Sequence, residues 1–156
     1  MAQRIQEVAV AIGLAEAKRG VFETNNDNRG PDVDAYAALA SMPVGLAWCA
    51  MFVFFCYERA AAQLRVKNPM PRIFGAAQLE AWGVAQKKTV LTPVAGDILI
   101  KEHRHAGLVT GPPVAAGTFP SVEGNTWAHS DAAHRHEGVY VLNNEKVTKC
   151  TFIRIV

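Results

Sequence analysis

Apolar residues recur at helical spacing in the first half of the chain and form short blocks in the second. Ile5, Val8, Ala9, Ile12 and Ala15 mark one face of a helix predicted from Gln3 to Lys18 and stopped at Gly20. Thr24 to Pro31 is a turn-rich loop, and Asp32 to Ala40 a short helix with an aspartate in its first turn. The dense apolar run Pro43 to Tyr57 places a central, buried helix from Trp48 to about Leu64. Phe74 to about Gln86 reads as one more short helix. The pattern then changes. Asp97 to Lys101, Ala106 to Thr110, Thr118 to Glu123, Val139 to Asn143 and Cys150 to Val156 are rich in Val, Ile, Leu, Phe and Thr, with Gly, Pro and Asn-Asn turns between them. Helices followed by a meander of strands predict an α+β domain in which N-terminal helices pack on an antiparallel β-sheet.

Composition adds bounds. A chain of 156 residues, half of them hydrophobic, is the size of one domain with a sizeable core. With no repeat or linker-like tract, a single domain is read over 1–156. Net charge is only +2 without a basic block, which gives no support for nucleic acid as a partner. Val8 to Ala15 is bracketed by Glu7 and Glu16 and reads as amphipathic helix rather than signal peptide. Pro43 to Tyr57 falls short of the roughly 20 apolar residues a spanning helix needs, so no transmembrane segment is expected. Three cysteines do not suggest a disulfide framework. Cys49 and Cys56 lie two turns apart on one predicted helix, about 10 Å, too far to bridge.

Candidate chemistry lies in three separated segments. Cys49 opens the central helix, where unpaired N–H groups and the helix dipole favour a thiolate. Cys56, deep in the apolar run, reads as a packing residue. His105 opens the second strand of a predicted hairpin; from there it would stand over the sheet, face a packed helix and take the thiol proton. Glu123 and Asn125 are two apart, so on an extended strand they point to one face. One would orient the imidazole, and the other would lie near a developing oxyanion or tether the histidine. Histidines also offer a rival zinc constellation, His103 with His105 and a second cluster of His129, His134 and His136. Without H-E-x-x-H or CxxC, no metal and no other cofactor is expected. Asp27, Asp32 and Asp34 do not have the spacing of an EF-hand calcium loop.

Taken in order, Trp48-Cys49-Ala50-x-Phe52-Val53, Gly96-Asp97-Ile98, His105-Ala106-Gly107-Leu108-Val109 and Val122-Glu123-Gly124-Asn125-Thr126 resemble the CHAP amidase/peptidase domains of the NlpC/P60 superfamily. Asn25 to Val33 and Gly138-Val139-Tyr140 extend the resemblance over roughly residues 4 to 156. It implies a papain-like fold and cleavage of an amide bond in peptidoglycan. Cys49 would be nucleophile, His105 general base and acid, Glu123 its orienter and Asn125 a fourth catalytic member. Trp48 and Trp127 would contact substrate. Two departures stand out: Ala47 replaces a proline common before the tryptophan, and no Ser, Thr, Asp or Asn directly precedes Cys49 as a cap. The partner so implied is a peptidoglycan stem peptide. Without a signal peptide, a cytoplasmically made wall hydrolase would reach the periplasm or wall by lysis, as an endolysin, or through a secretion machine. In the second case it would be an antibacterial effector with a cognate immunity or inhibitor protein. The alternative is an inactive CHAP-like peptidoglycan-binding or interaction module. Lys67 to Phe74 and Ala128 to Glu137 are expected to be cleft loops.

Overall fold

The computed structural model describes residues 2–127 and 136–156. Among the described residues, four α-helices come first: α1 (Ala2–Arg19), α2 (Pro31–Ala40), α3 (Cys49–Leu64) and α4 (Ala76–Ala85). Six strands follow: β1 (Thr89–Val90), β2 (Ile98–Lys101), β3 (His105–Val109), β4 (Thr118–Thr126), β5 (Gly138–Lys146) and β6 (Cys150–Ile153). They form one antiparallel sheet in the order β1-β6-β2-β3-β4-β5, so the α+β class read from the pattern holds. Among the described residues, no helix is long and apolar enough to cross a membrane.

The apolar density of α3 has a simple cause: helices pack on one side of it and the sheet on the other. Ala50, Met51, Phe52, Val53, Phe54, Cys56 and Tyr57 are all buried, against α1, α2, β3 and β4. Each large side chain contributes about 1.5–3 kcal/mol by burial. The helix ends at Arg65, whose N–H donates to the Ala62 carbonyl and whose left-handed conformation turns the following Val66 N–H back to the Ala61 carbonyl. Facing α3, α1 uses Ile5, Ala9 and Gly13, while Ala15, expected on this face, is exposed. A Cβ on Gly13 would meet Val122 at 2.9 Å and the Cys56 sulfur at 3.4 Å, so α1 packs closely here.

The sheet has two different faces. Ala106, Leu108, Ile98, Ile100 and Val122 join the core around α3. Leu99, Val109, Phe119 and Phe152 form a second, smaller cluster on the other side. Alternation puts His105 and Gly107 on that second side with Val109, not on the α3 side. Strand β1 was not anticipated, since two residues leave no periodic signal. β6 ends at Ile153, before the expected Val156, where the Arg154 N–H bonds to the Lys88 carbonyl. The Gly96-Asp97 segment anchors this end of the sheet. Buried Asp97 accepts from Arg154 at 2.7 and 2.9 Å and from the Val94 N–H at 2.9 Å, and the Tyr57 hydroxyl donates to the Gly96 carbonyl.

Candidate active site

Cys49 is the first residue of α3 and His105 the first of β3. His105 lies on the sheet side away from α3, yet it reaches the thiol because both stand at the ends of their elements. The thiol and the imidazole lie close enough that each shifts the other's titration. His105 Nε2 donates to Glu123 Oε2 at 2.7 Å, which leaves Nδ1 for the thiol. Glu123 gets there by crossing Gly107: a Cβ on Gly107 would sit 2.6 Å from Glu123 Cγ. The missing side chain is therefore the channel that lets the carboxylate reach the imidazole.

Glu123 is wholly buried and well supplied with donors. The Ser121 hydroxyl donates to Oε1 at 2.6 Å, and the Lys101 ammonium lies 3.6 Å from Oε2. Lys101 is paired at 2.8 Å with Glu145. Burial works against a charged Glu123, but the His105 hydrogen bond and charge, then Lys101 and Ser121, hold its carboxyl below the ordinary range. Burial likewise opposes a charged His105. The hydrogen bonds and charges of Cys49 and Glu123 overcome it and push the imidazole up to about 9. For Cys49 too, burial raises the thiol. The His105 hydrogen bond and charge and the N–H groups of Ala106 and Ala50 outweigh it, and the thiol titrates below its usual value. All three directions favour a thiolate–imidazolium pair. Burial pushes Cys56 well above the normal range, and burial with nearby Glu145 and Glu123 pushes Cys150 up to about 12, so neither shares this activation.

Asn125 departs from the expected geometry. The β4–β5 register shifts between Glu123 and Thr126, and Asn125 takes a left-handed φ of 57°. The break in alternation turns its side chain away from the Glu123 direction. Asn125 Oδ1 accepts the Trp48 backbone N–H at 3.0 Å, at the residue that caps α3. Asn125 tethers the helix that begins at Cys49, not the histidine. It also compensates for the absent local cap: an asparagine from another strand supplies the polar partner. Asn125 Nδ2 faces Glu137 Oε2 at 2.9 Å, Asn28 Oδ1 at 3.1 Å and Glu23 Oε1 at 3.2 Å.

Trp48 does not contact solvent at all, at 0% exposure, so it cannot touch substrate as expected. Its indole N–H donates to Glu23 Oε1 at 2.8 Å and its ring packs beside Tyr36. Trp127 is 38% exposed and donates to Glu137 Oε1 at 2.9 Å. The segment Lys67 to Phe74 also differs from expectation. Lys67, Met70 and Arg72 line a cavity of about 530 Å³ with Phe54, Glu58 and Ala61, beside the C-terminal part of α3 and away from Cys49. Of the other expected cleft loop, Ala128 to Glu137, only His136 and Glu137 lie within the described residues.

The remaining candidates separate. His103 occupies a left-handed turn position and pairs with Glu80. His136 stacks on Phe22, and His129 and His134 lie outside the described residues. Asp32 bonds to Arg19 and Asp34 to Arg29. Among the described residues, no three His, Cys, Asp or Glu side chains are grouped to hold a metal.

Sequence reasoning missed Ser121, Lys101, Glu23 and Glu137. Ser121 was reachable, being two before Glu123 on the same strand, and Lys101 pairs with His105 across the predicted hairpin. Glu23 and Glu137 sit in loop-like sequence without periodicity, and only folding joins them. No family model, curated protein or solved structure matches this chain.

Proposed function

We propose that this chain is a cysteine amidase or endopeptidase of CHAP type, acting on an amide bond in peptidoglycan peptides. The line Cys49–His105–Glu123 supports this most, since core packing alone has no need for a half-buried imidazole set between a buried thiol and a buried carboxylate. The thiolate would attack the amide carbonyl, forming a carbon–sulfur bond and a tetrahedral oxyanion. The Cys49 backbone N–H at the helix start is a donor suited to that oxyanion. As the carbon–nitrogen bond breaks, His105 would give its proton to the leaving amine. Water, deprotonated by His105, would then attack the thioester and release the acid and the thiol. Glu123 would hold the imidazole orientation through both steps.

The peptidoglycan substrate follows from the motif resemblance, and so does delivery by lysis or a secretion machine, with an immunity protein as partner in the latter case. Digestion of purified sacculi tests the reading. Wild type should release new amino groups and Cys49→Ala none. No release by wild type sinks it. Loss in Cys56→Ala with Cys49→Ala still active would move the nucleophile to the other thiol.

A further inference from the structure

Trp48, Asn125 and Glu23 close a hydrogen-bonded triangle directly behind the nucleophile. Trp48 donates twice: its backbone N–H to Asn125 Oδ1 at 3.0 Å and its indole N–H to Glu23 Oε1 at 2.8 Å. The third side runs from Asn125 Nδ2 to the same Glu23 oxygen at 3.2 Å. Glu23 is fully buried, and its second oxygen accepts the Asn28 N–H at 2.8 Å. Such a carboxylate is costly to bury and is retained only where its donors are worth holding.

Its geometry decides which way Asn125 points. An amide side chain can present either its oxygen or its NH2 to the Trp48 N–H, and only the oxygen accepts. Glu23, Glu137 and Asn28 place acceptors on the opposite side, so the NH2 must turn there. The oxygen is thereby left for Trp48. Trp48 is the residue before Cys49, so fixing both of its ends fixes the first turn of α3. That turn carries the thiol and the Ala50 N–H that helps to lower its titration.

We propose that Glu23 is a positioning residue of the active site, which acts through Trp48 and Asn125 to hold Cys49 in register with His105. The inference rests on Cys49 being the reacting thiol. Glu137 backs the same amide from the surface side, and its own carboxyl is raised by burial and by the neighbouring Glu23 charge.

Glu23→Gln tests this with little change in shape. A glutamine offers one acceptor oxygen where the carboxylate offers two, and its NH2 opposes either Asn28 N–H or the Asn125 amide. Where the new NH2 faces Asn125, its amide loses one of three acceptors and meets a donor instead. The readout is the pH profile of Cys49 alkylation by iodoacetamide, followed on the Cys49 peptide by mass spectrometry, with melting temperature measured alongside. The expected result is alkylation slowed about tenfold near neutral pH, at the low end of what misplaced reacting groups cost, with the acid limb moved upward. Asn125→Gly, which suits the left-handed backbone, should do the same. The double variant should be no slower than either alone, because the triangle acts as a unit. Tyr57→Phe, a buried hydrogen-bond loss elsewhere on α3, should lower the melting temperature and leave the profile unmoved. An unchanged profile in a folded Glu23→Gln overturns the proposal, as does additive loss in the double variant. Should Glu23→Gln not fold, an unchanged profile in Asn125→Gly overturns it instead. Alkylation needs no substrate, so inactivity of wild type on sacculi would sink the hydrolase reading and leave this result standing.

Discussion

Glu123→Gln gives the sharpest test of how the imidazole is held. The side chain keeps its shape and loses its charge. His105 stands at about 9 against an ordinary 6.5, a preference for the imidazolium of roughly 3 kcal/mol. Cys49 and Glu123 supply that preference jointly, while burial opposes it. Removing one of the two charges and keeping the burial penalty takes away about half of that preference or more. The imidazolium should then deprotonate more than about one pH unit lower. With the imidazole pushed up to about 9, the wild-type alkaline limb should lie near that pH. In Glu123→Gln, the alkaline limb of hydrolysis should fall by that amount. The position of the limb is read from kcat/KM against pH, with thiolate ultraviolet absorbance as an independent monitor of Cys49. If the limb stays at its wild-type position, Glu123 does not sustain the imidazolium and the assignment of its role fails.

Other expectations follow from neighbouring contacts. Gly107→Ala should destabilise by about 1–3 kcal/mol and lower Cys49 reactivity, because the new methyl would meet Glu123 Cγ at 2.6 Å; paired melting and alkylation measurements check this, and a fully reactive variant would refute the channel. Lys101→Met removes a cation beside Glu123, but the carboxylate stays ionised near pH 9 and the imidazolium loses a like charge, so the alkaline limb should hold its place or move slightly upward; a fall as in Glu123→Gln would mean that Lys101 acts by another route. Glu123 also links stability to pH. Its carboxyl is held below 4.5 in the fold, so its stabilisation is present above that value and lost as pH falls through the lower folded value. Melting temperature against pH should therefore drop less steeply on the acid side in Glu123→Gln, and an unchanged slope would count against the linkage.

The order of elements was legible because periodicity reports burial directly. α3 is apolar on nearly all sides since helices and sheet both cover it, and the strands are short blocks since the sheet has a core on each face. Cys49 and His105 were legible for a different reason, as each sits at the end of an element that the pattern marks. Trp48 and Asn125 were read less well. The tryptophan looked like a surface contact because adjacency to Cys49 does not reveal burial. Asn125 looked aligned with Glu123 because a strand of period two was assumed, and the register shift breaks that period after Glu123.

By itself, the sequence determined the α+β class, the succession of helices and strands, and the helix-start cysteine and strand-start histidine. These depend on local spacing and on what each element must bury. Tertiary structure alone decided that Glu123 reaches His105 across a glycine, that Asn125 caps a helix from another strand, and that Glu23 lies beneath both. Those contacts join positions far apart in the chain, and no local preference encodes which distant partner a buried carboxylate or amide will meet.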